Sequence, residues 1–456
     1  MIEGVPVDVG LVHEGERIRK QEMQFELGGP GVGAKWEIVR VVPPESVEDG
    51  AIRIVGPDIR DLPEGGKYPL GILVEVAGPA LEEDFEGIIE RRIHEYSNYV
   101  EGLMHLNQRY DIWVRLSKKA YRAGFDSFAY LGRVLLHLFK NELPIIEAMQ
   151  VTFYTDPAEV ESRLPDALAR YEARDARARG LSDEEVETFY GCALCQSFAP
   201  RHICVITPER YANCGAISWF DGRAAARMDP KGPIFALEKG ECLDPVHGEF
   251  AGVNANAKER SMGEIDRVYL YSAFDYPHTS CGCFEGIAFY IPEVEGFGIV
   301  HRGFRDATVN GLAFSTMADS TAGGRQVDGF HGVSLEYLKS RKFLQADGGW
   351  DRVVWMPAEI LDRVRPFLPE GAADRIATER DVHSVDDLQT FLREREHPVL
   401  ARWPGESTGA PVATVGELPL ELGGYRVILK NARIYADRVI ILREEPAEPN
   451  PRGGRS

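Results

Sequence analysis

Residues 191–215 read GCALCQSFAPRHICVITPERYANCG, and this stretch places four cysteines close together in the chain. Four thiolates at such spacing can hold either a tetrahedral zinc ion or a [4Fe–4S] cluster. From 190 to 360 the chain is rich in Gly, Pro, Asn and Asp between short apolar runs, which predicts a metal-binding domain built from loops and short strands. The four cysteines are Cys192, Cys195, Cys204 and Cys214.

A second cysteine motif lies further along the chain, in YPHTSCGCFEG (276–286), where Cys281, Gly282 and Cys283 follow one another. Its two sulfurs and the amide nitrogens of Gly282 and Cys283 can surround one ion in a plane. Amide nitrogens bind in this way only when deprotonated, which calls for Ni(II) or Cu(II) and excludes Zn(II). The glycine removes the Cβ that would crowd this plane and leaves the backbone dihedral angles unrestricted.

The whole chain predicts a mixed α/β protein of several domains, with small mixed sheets, packed helices and the loop-rich metal-binding domain. Short β-type runs fill the segment 1–80, and helical spacing follows over 84–124 and 127–142. The expected domains are 1–155 (sheet, then helices), 156–365 (metal-binding and catalytic), 366–443 (helices and a strand pair) and 444–456 (a disordered tail).

The composition restricts the partners and the location. Asp and Glu number 72 against 52 Lys and Arg, a formal charge of −20, which argues against nucleic acid and anionic membranes as partners. The N-terminus does not resemble a secretion signal and no apolar run is long enough to cross a membrane, so a cytoplasmic protein is expected. Clustered cysteines in such a chain indicate metal binding or catalysis rather than disulfides.

The spacings C-x2-C-x8-C-x9-C and, further along the chain, C-G-C resemble the A-cluster motif of acetyl-CoA synthase. Similar flanks, such as CVITPERYANCGAISW and QADGGWDRVVWMP, extend the resemblance over nearly the whole chain. The resemblance implies an acyltransferase that forms or cleaves acetyl-CoA from CO, coenzyme A and the methyl group of a corrinoid iron–sulfur protein. Carbon monoxide dehydrogenase subunits are the implied partners. Bacterial members carry an additional N-terminal domain, so the chain is expected to be similar to the shorter archaeal β subunits.

The resemblance also implies a cofactor, a [4Fe–4S] cluster joined to two nickel ions. The four cysteines of the first stretch would hold the cluster, and Cys195 would bridge it to the proximal nickel. Cys281 and Cys283 would bind both nickel ions through their sulfurs, with the amides of Gly282 and Cys283 completing the distal site. Phe198 would shield the open face of the proximal nickel, or else serve as an ordinary core aromatic.

Several further residues allow two interpretations each. Residues 301–303 (His-Arg-Gly) could donate hydrogen bonds to the ligands, or His301 could be a buried, satisfied histidine. Cys242 lies outside the motif spacing and is expected to be a small buried hydrophobe. Three arginines are candidate partners for the coenzyme A phosphates, or else solvated surface charges: Arg201, Arg210 and Arg223.

Two other classes of function remain open from the residues alone. An electron-transfer subunit would hold one iron–sulfur cluster on the first four cysteines and would contain no nickel. A structural subunit would hold zinc in a closed site without redox activity. Neither class accounts for the C-G-C motif.

Overall fold

The computed structural model describes residues 2–196, 199–277, 282–321, 323, 327 and 329–403, and the backbone of the strands at 417–422 and 425–430. The chain divides into two compact units, Met1–Ala401 and Arg402–Ser456. The architecture is mixed α/β with several small sheets, which confirms the predicted fold class. Within the described ranges, no helix is both long enough and apolar enough to cross a membrane.

Within the described residues, the helices and the first seventeen strands belong to the first unit, and the last two strands belong to the second. In the described part of the chain the helices are α1 Glu86–Asn98, α2 Lys118–Arg122, α3 Phe128–Glu142, α4 Pro157–Arg179, α5 Trp219–Met228, α6 Ala251–Arg260, α7 Phe314–Thr321, α8 Ala358–Val364 and α9 Val385–Glu394. The strands are β1 Met23–Gly28, β2 Lys35–Val41, β3 Ile52–Val55, β4 Lys67–Tyr68, β5 Leu70–Ala77, β6 Leu103–Asn107, β7 Ile112–Ser117, β8 Ala148–Tyr154, β9 Thr188–Cys192, β10 Cys204–Ile206, β11 Ile234–Glu238, β12 Cys242–Asp244, β13 Glu249–Phe250, β14 Gly286–Ile291, β15 Gly296–His301, β16 Phe330–Val333, β17 Val353–Trp355, β18 Glu417–Leu422 and β19 Tyr425–Lys430.

Two four-stranded sheets form the N-terminal part, one in the order β4-β1-β7-β6 and one in the order β2-β5-β8-β3. The β-type runs predicted in the segment 1–80 are the strands β2, β3 and β5, and the predicted helix over 127–142 is α3. Further along, β14 and β15 pair antiparallel inside a sheet with the order β16-β14-β15-β17. A smaller sheet, β10-β9-β11, carries the first cysteines.

The helical interpretation of residues 84–124 is only partly correct. The helix α1 ends at Asn98, and the chain then forms the antiparallel pair β6 and β7. Gly102 adopts a φ of 74°, in the left-handed region that a helix cannot continue through. Along β6, buried and half-buried residues alternate, the period of two that a strand with one buried face requires. Tertiary burial therefore overrides the local helical spacing.

Helix α1 is held against the edge strand β2 by two of its carboxylates. Glu86 accepts a hydrogen bond from the backbone N–H of Val41 (2.8 Å), and Glu90 accepts one from that of Val39 (2.9 Å). Arg174 of α4 forms salt bridges with both carboxylates. These carboxylates cover N–H groups that an edge strand otherwise leaves unpaired, so they determine the rotation of α1 about its axis.

One cluster of buried apolar side chains extends from Val7 to Tyr276, and a second, from Ala273 to Ile376, surrounds β14–β17. The first cluster continues across residue 155, where a domain boundary is predicted from the sequence; that subdivision stays a prediction. In the second unit, β18 and β19 pair antiparallel. Part of the predicted terminal strand pair is thus present in β19, whereas residues 431–456, with the predicted tail, lie outside the described residues.

Candidate metal centre

The register between β9 and β10 brings the first two buried cysteines together. Cys192, the last residue of β9, lies directly opposite Cys204, the first residue of β10. Residues directly opposite in an antiparallel pair point to the same side, with Cβ atoms about 5 Å apart. The two thiols therefore share one face of the small sheet.

The loop after β10 connects this pair to the C-G-C motif. Cys214 interacts electrostatically with both strand cysteines and with Cys283. Its neighbour Gly215 adopts a φ of 72°. Beside them, the backbone N–H of Glu285 donates to the carbonyl of Asn213 (3.1 Å). Tertiary structure thus joins two motifs that lie far apart in the sequence.

Burial disfavours the ionised form of these three thiols. It raises the pKa of Cys204 to about 11 and also raises the pKa values of Cys192 and Cys214. The guanidinium of Arg91 opposes this effect at all three thiols, and its Nη2 lies 3.9 Å from the Sγ of Cys195. A cation from a distant helix therefore offsets part of the cost of forming thiolates, which are the forms that bind metals.

Two histidines contact the cysteines. His94 lies one helical turn after Arg91 on α1, hence on the same side of the helix, and hydrogen-bonds Cys283. Burial, reinforced by the charge of Arg91, lowers the pKa of His94 to about 3, so its imidazole is neutral. Nε2 of the second histidine, His202, lies 3.1 Å from the Sγ of Cys204.

The backbone of the C-G-C motif is fixed by side chains from two other parts of the fold. Gly282 adopts a φ of 115°, a conformation that residues with a Cβ rarely take up. Nε2 of Gln108, in the turn between β6 and β7, donates to the carbonyls of Cys283 (2.8 Å) and Phe284 (2.9 Å). Nη2 of Arg302, just after β15, donates to the carbonyl of Gly282 (2.9 Å).

The residues present suit a thiolate-bound metal cluster. Within the described ranges, no three Cys, His, Asp or Glu side chains converge at metal-binding distance. The predicted ligand Cys281 and the predicted shield Phe198 lie outside the described residues. The donors that the structure does bring together are soft thiols, buried beside a cation, and a glycine-containing loop with a positive φ. Soft sulfur donors of this kind suit iron–sulfur and late transition-metal chemistry.

Arg210 is neither a surface residue nor a candidate for binding coenzyme A. Its side chain is only 1% exposed, and the guanidinium carbon lies 4.7 Å from the ring of Tyr276 and 5.4 Å from that of Tyr337. The arginine is part of the core, because cation–π contacts and hydrogen bonds replace its hydration. Arg201 and Arg223 each form an ion pair with a carboxylate.

The prediction that Cys242 is buried is wrong. Cys242 is exposed, since it lies in the short strand β12, whose sheet has only two strands and leaves this residue facing solvent. Of the segment 301–303, Arg302 reaches the C-G-C motif, whereas His301 is buried and its Nε2 lies 3.6 Å from a carboxylate oxygen of Glu359.

Sequence reasoning missed four residues that contact the cysteine motifs: Arg91, His94, Gln108 and His202. The first two lie in IIERRIHEY, where charged residues are interspersed with apolar ones and leave no continuous polar face. A helix without a continuous polar face must bury some of its charged residues, although the sequence does not show which groups those residues contact. Gln108 lies in the turn of a strand pair for which the apolar spacing predicts a helix.

The fold and this site define a mixed α/β protein with a cysteine-based candidate metal centre. Two family models match the chain, "CO dehydrogenase/acetyl-CoA synthase complex beta subunit" over residues 5–160 and the C-terminal model of the "ACS/CODH beta subunit" over residues 171–404. The acetyl-CoA decarbonylase/synthase complex subunit beta of Methanothermobacter thermautotrophicus is 54% identical over 97% of this chain and 100% of its own length. That of Methanopyrus kandleri is 51% identical over 97% of this chain and 98% of its own. Subunit beta 2 of Methanosarcina thermophila is 48% identical over 96% of this chain and 98% of its own.

The chain belongs to the family of acetyl-CoA decarbonylase/synthase complex beta subunits, a family of enzyme subunits.

Proposed function

We propose that this chain is an acyltransferase that forms or cleaves acetyl-CoA. The substrates would be CO, coenzyme A and a methyl group carried by a corrinoid iron–sulfur protein. Carbon monoxide dehydrogenase subunits would be its partners in a cytoplasmic complex. Family membership supports the proposal, because the relatives carry the name of an acetyl-CoA decarbonylase/synthase complex.

The observation that carries the proposal is the junction between the two cysteine motifs. Glu285 N–H donates to the carbonyl of Asn213, and Cys214 interacts with Cys283. A subunit that only transfers electrons requires the four-cysteine motif alone, and a zinc-bound structural subunit requires no second set of soft donors beside the first. Two adjacent thiol motifs are the arrangement that a compound metal cluster requires.

The ligand roles follow from the matched motifs. Cys195, with the three buried cysteines around it, would hold a [4Fe–4S] cluster, and the same residue would bridge to nickel. Cys281, Gly282 and Cys283 would hold the nickel ions, as expected from their sulfur and amide donors. When bound, this cluster supplies an electron-rich metal that can take up a methyl group and CO and join them.

The chain's own residues control the surroundings of this site. Arg91 favours the ionised thiols, and His94 hydrogen-bonds Cys283 as a neutral group. Gln108 holds the carbonyls that follow the motif. Phe284 is fully buried next to the motif and excludes water from that side. Phe198 is proposed to cover the open face of the proximal nickel.

Metal analysis of the full chain tests this proposal. Protein purified without oxygen and supplied with iron, sulfide and nickel should contain about four iron and about two nickel per chain. After reduction under CO, its electron paramagnetic resonance signal should broaden when the iron is replaced by a magnetic isotope, and again when the nickel is. Cys283→Ser should lose nickel and keep its iron. Cys242→Ala is the matched control, because Cys242 is exposed and lies outside both motifs, and its metal content should equal that of the wild type.

Two other results would contradict the proposal. Iron without nickel and without a response to CO would identify an electron-transfer subunit. Zinc alone, without redox activity, would identify a structural subunit.

A loss of nickel in the control variant Cys242→Ala would show that this exposed cysteine belongs to the metal centre.

A further inference from the structure

The hairpin of β14 and β15 places a guanidinium on the C-G-C motif. Its register pairs Gly286 with His301, and the next backbone N–H, that of Arg302, donates to the carbonyl of Glu285 (3.0 Å). From this position Nη2 of Arg302 donates to the carbonyl of Gly282 (2.9 Å). The same atom also donates to the carbonyl of Phe284 (3.2 Å).

Aromatic rings surround this guanidinium. Its carbon lies 5.3 Å from the ring centre of Phe314 and 5.9 Å from that of Phe284, and the side chain is half-buried. Because these rings replace part of the water around Arg302, its charge acts on the nearby carbonyl through a medium less polarisable than bulk solvent.

The carbonyl of Gly282 belongs to a peptide group that is itself a predicted ligand. Its oxygen and the amide nitrogen of Cys283 share one peptide, so the negative charge left on that nitrogen after loss of its proton is shared with the oxygen. A cation that hydrogen-bonds this oxygen stabilises the deprotonated form much more than the neutral form.

We propose that Arg302 is the positioning residue that makes the Gly282–Cys283 peptide a metal ligand, and that it thereby selects for ions able to bind deprotonated amides, Ni(II) and Cu(II). The inference rests on the proposed function, in which this motif binds nickel. As the metal–nitrogen bond forms, the N–H bond of Cys283 breaks and its proton passes to solvent, while Arg302 offsets the charge that remains on the peptide.

Gln108 provides the matched comparison. Its amide nitrogen donates to the carbonyls of Cys283 and Phe284, so it tethers the same loop. Those carbonyls, however, share their peptide groups with the nitrogens of Phe284 and Glu285, which are not predicted ligands, and the glutamine carries no charge. Removing Gln108 should loosen the loop without affecting one class of metal ion more than another.

The experiment compares the affinities of the full chain for two metal ions alone, Ni(II) and Zn(II), at one fixed pH. The protein carries its iron–sulfur cluster, so the four-cysteine set is occupied, and chelator competition gives each dissociation constant. In Arg302→Gln, which retains an amide donor but not the charge, the Ni(II) dissociation constant should rise roughly 10- to 100-fold, as expected for loss of a charge-assisted hydrogen bond. The Zn(II) value should change less than about threefold, because zinc does not require the amides.

Arg302→Lys keeps a positive charge and should restore part of the Ni(II) affinity. Gln108→Leu should weaken Ni(II) and Zn(II) binding by similar factors. Equal losses for both ions in Arg302→Gln, or an unchanged Ni(II) affinity, would overturn the role of Arg302 while leaving the proposed function in place. A wild-type protein without the absorption spectrum of planar Ni(II) would overturn the proposed function, and this inference with it.

Discussion

Nη2 of Arg91 lies 3.9 Å from the Sγ of Cys195, although 104 positions separate the two residues in the chain. The arginine is 6% exposed and belongs to α1, whose rotation is set by the hydrogen bonds that its own carboxylates, Glu86 and Glu90, accept from backbone N–H groups of β2. Helix α1 therefore places a buried positive charge beside Cys195, a cysteine of the four-cysteine motif. A cation at this place would stabilise the electron-rich, reduced form of the proposed iron–sulfur cluster.

Arg91→Met should shift the reduction potential of the proposed iron–sulfur cluster by about 50 to 100 mV to more negative values, the size expected from one nearby charge in a partly polarisable interior. A redox titration followed by electron paramagnetic resonance measures the shift. The control is Arg92→Met, since Arg92 is paired with Glu95 (2.7 Å) on the same helix. Equal potentials in the Arg91 variant and the wild type would exclude an electrostatic role for Arg91.

Gly282→Ala should reduce the nickel content and leave the iron content near normal. Gly282 has a φ of 115°, and forcing a residue with a Cβ into such a region costs about 1 to 3 kcal/mol. Metal analysis gives the nickel-to-iron ratio. Gly311→Ala is the control, because Gly311 also has a positive φ (81°) and space for a Cβ but lies outside both cysteine motifs. Loss of iron together with nickel in Gly282→Ala would contradict separate ligand sets.

Arg109→Met should lower the free energy of unfolding by about 3 to 5 kcal/mol, because it leaves the carboxylate of Asp175 buried without its cation. The two residues form an ion pair in which the side chains are 2% and 0% exposed. Urea unfolding of the full chain at pH 7 measures the change. The double variant Arg109→Met/Asp175→Asn should recover part of the loss, since the buried charge is gone and the amide oxygen can still accept from one of the two tyrosines that hydrogen-bond the carboxylate, Tyr110 or Tyr211.

The exposed ion pair Arg53–Glu48 is the comparison for that experiment. Its side chains are 46% and 73% exposed, so Arg53→Met should change stability by less than about 1 kcal/mol. A similar effect of both arginine substitutions would show that the buried pair makes no special contribution.

The acid stability of the chain should depend on His397. Burial lowers the pKa of His397 from 6.5 to about 4; Arg375 adds to this, while the hydrogen bond to the Val353 carbonyl and the charge of Asp351 oppose it. Between these two pH values the unfolded chain binds the proton and the folded chain does not. The free energy of unfolding is therefore unaffected by protonation of this histidine above pH 6.5. As the pH falls from 6.5 towards 4, His397 lowers the free energy of unfolding by about 3 kcal/mol in total.

His397→Gln should flatten the dependence of the urea midpoint on pH between 6.5 and 4. The glutamine retains an amide donor for the Val353 carbonyl but does not titrate. His383→Gln makes the same substitution at an exposed histidine and serves as the matched control. Identical pH profiles for wild type and His397→Gln would contradict the assignment.

Much of the fold follows from local patterns. The strands β2, β3 and β5 and the helix α3 occur where the local pattern predicts them. Residues 103–117 differ, because a short segment with both apolar and polar residues fits either period, and pairing between β6 and β7 decides in favour of strands. Cys242 shows the same limitation, since a small residue carries no signal that separates a core position from an exposed edge.

The sequence by itself determined which chemistry to predict: six cysteines at fixed spacings, with a glycine between the last two, indicate the proposed donors and the class of metal. Tertiary structure alone decided what surrounds those donors. Arg91, Gln108 and Arg302 reach the motifs from α1, the β6–β7 turn and the end of β15. Spacing within a motif is a local property of the chain, whereas the charge and hydrogen bonds around it arise from helix packing and strand register, which bring distant segments together.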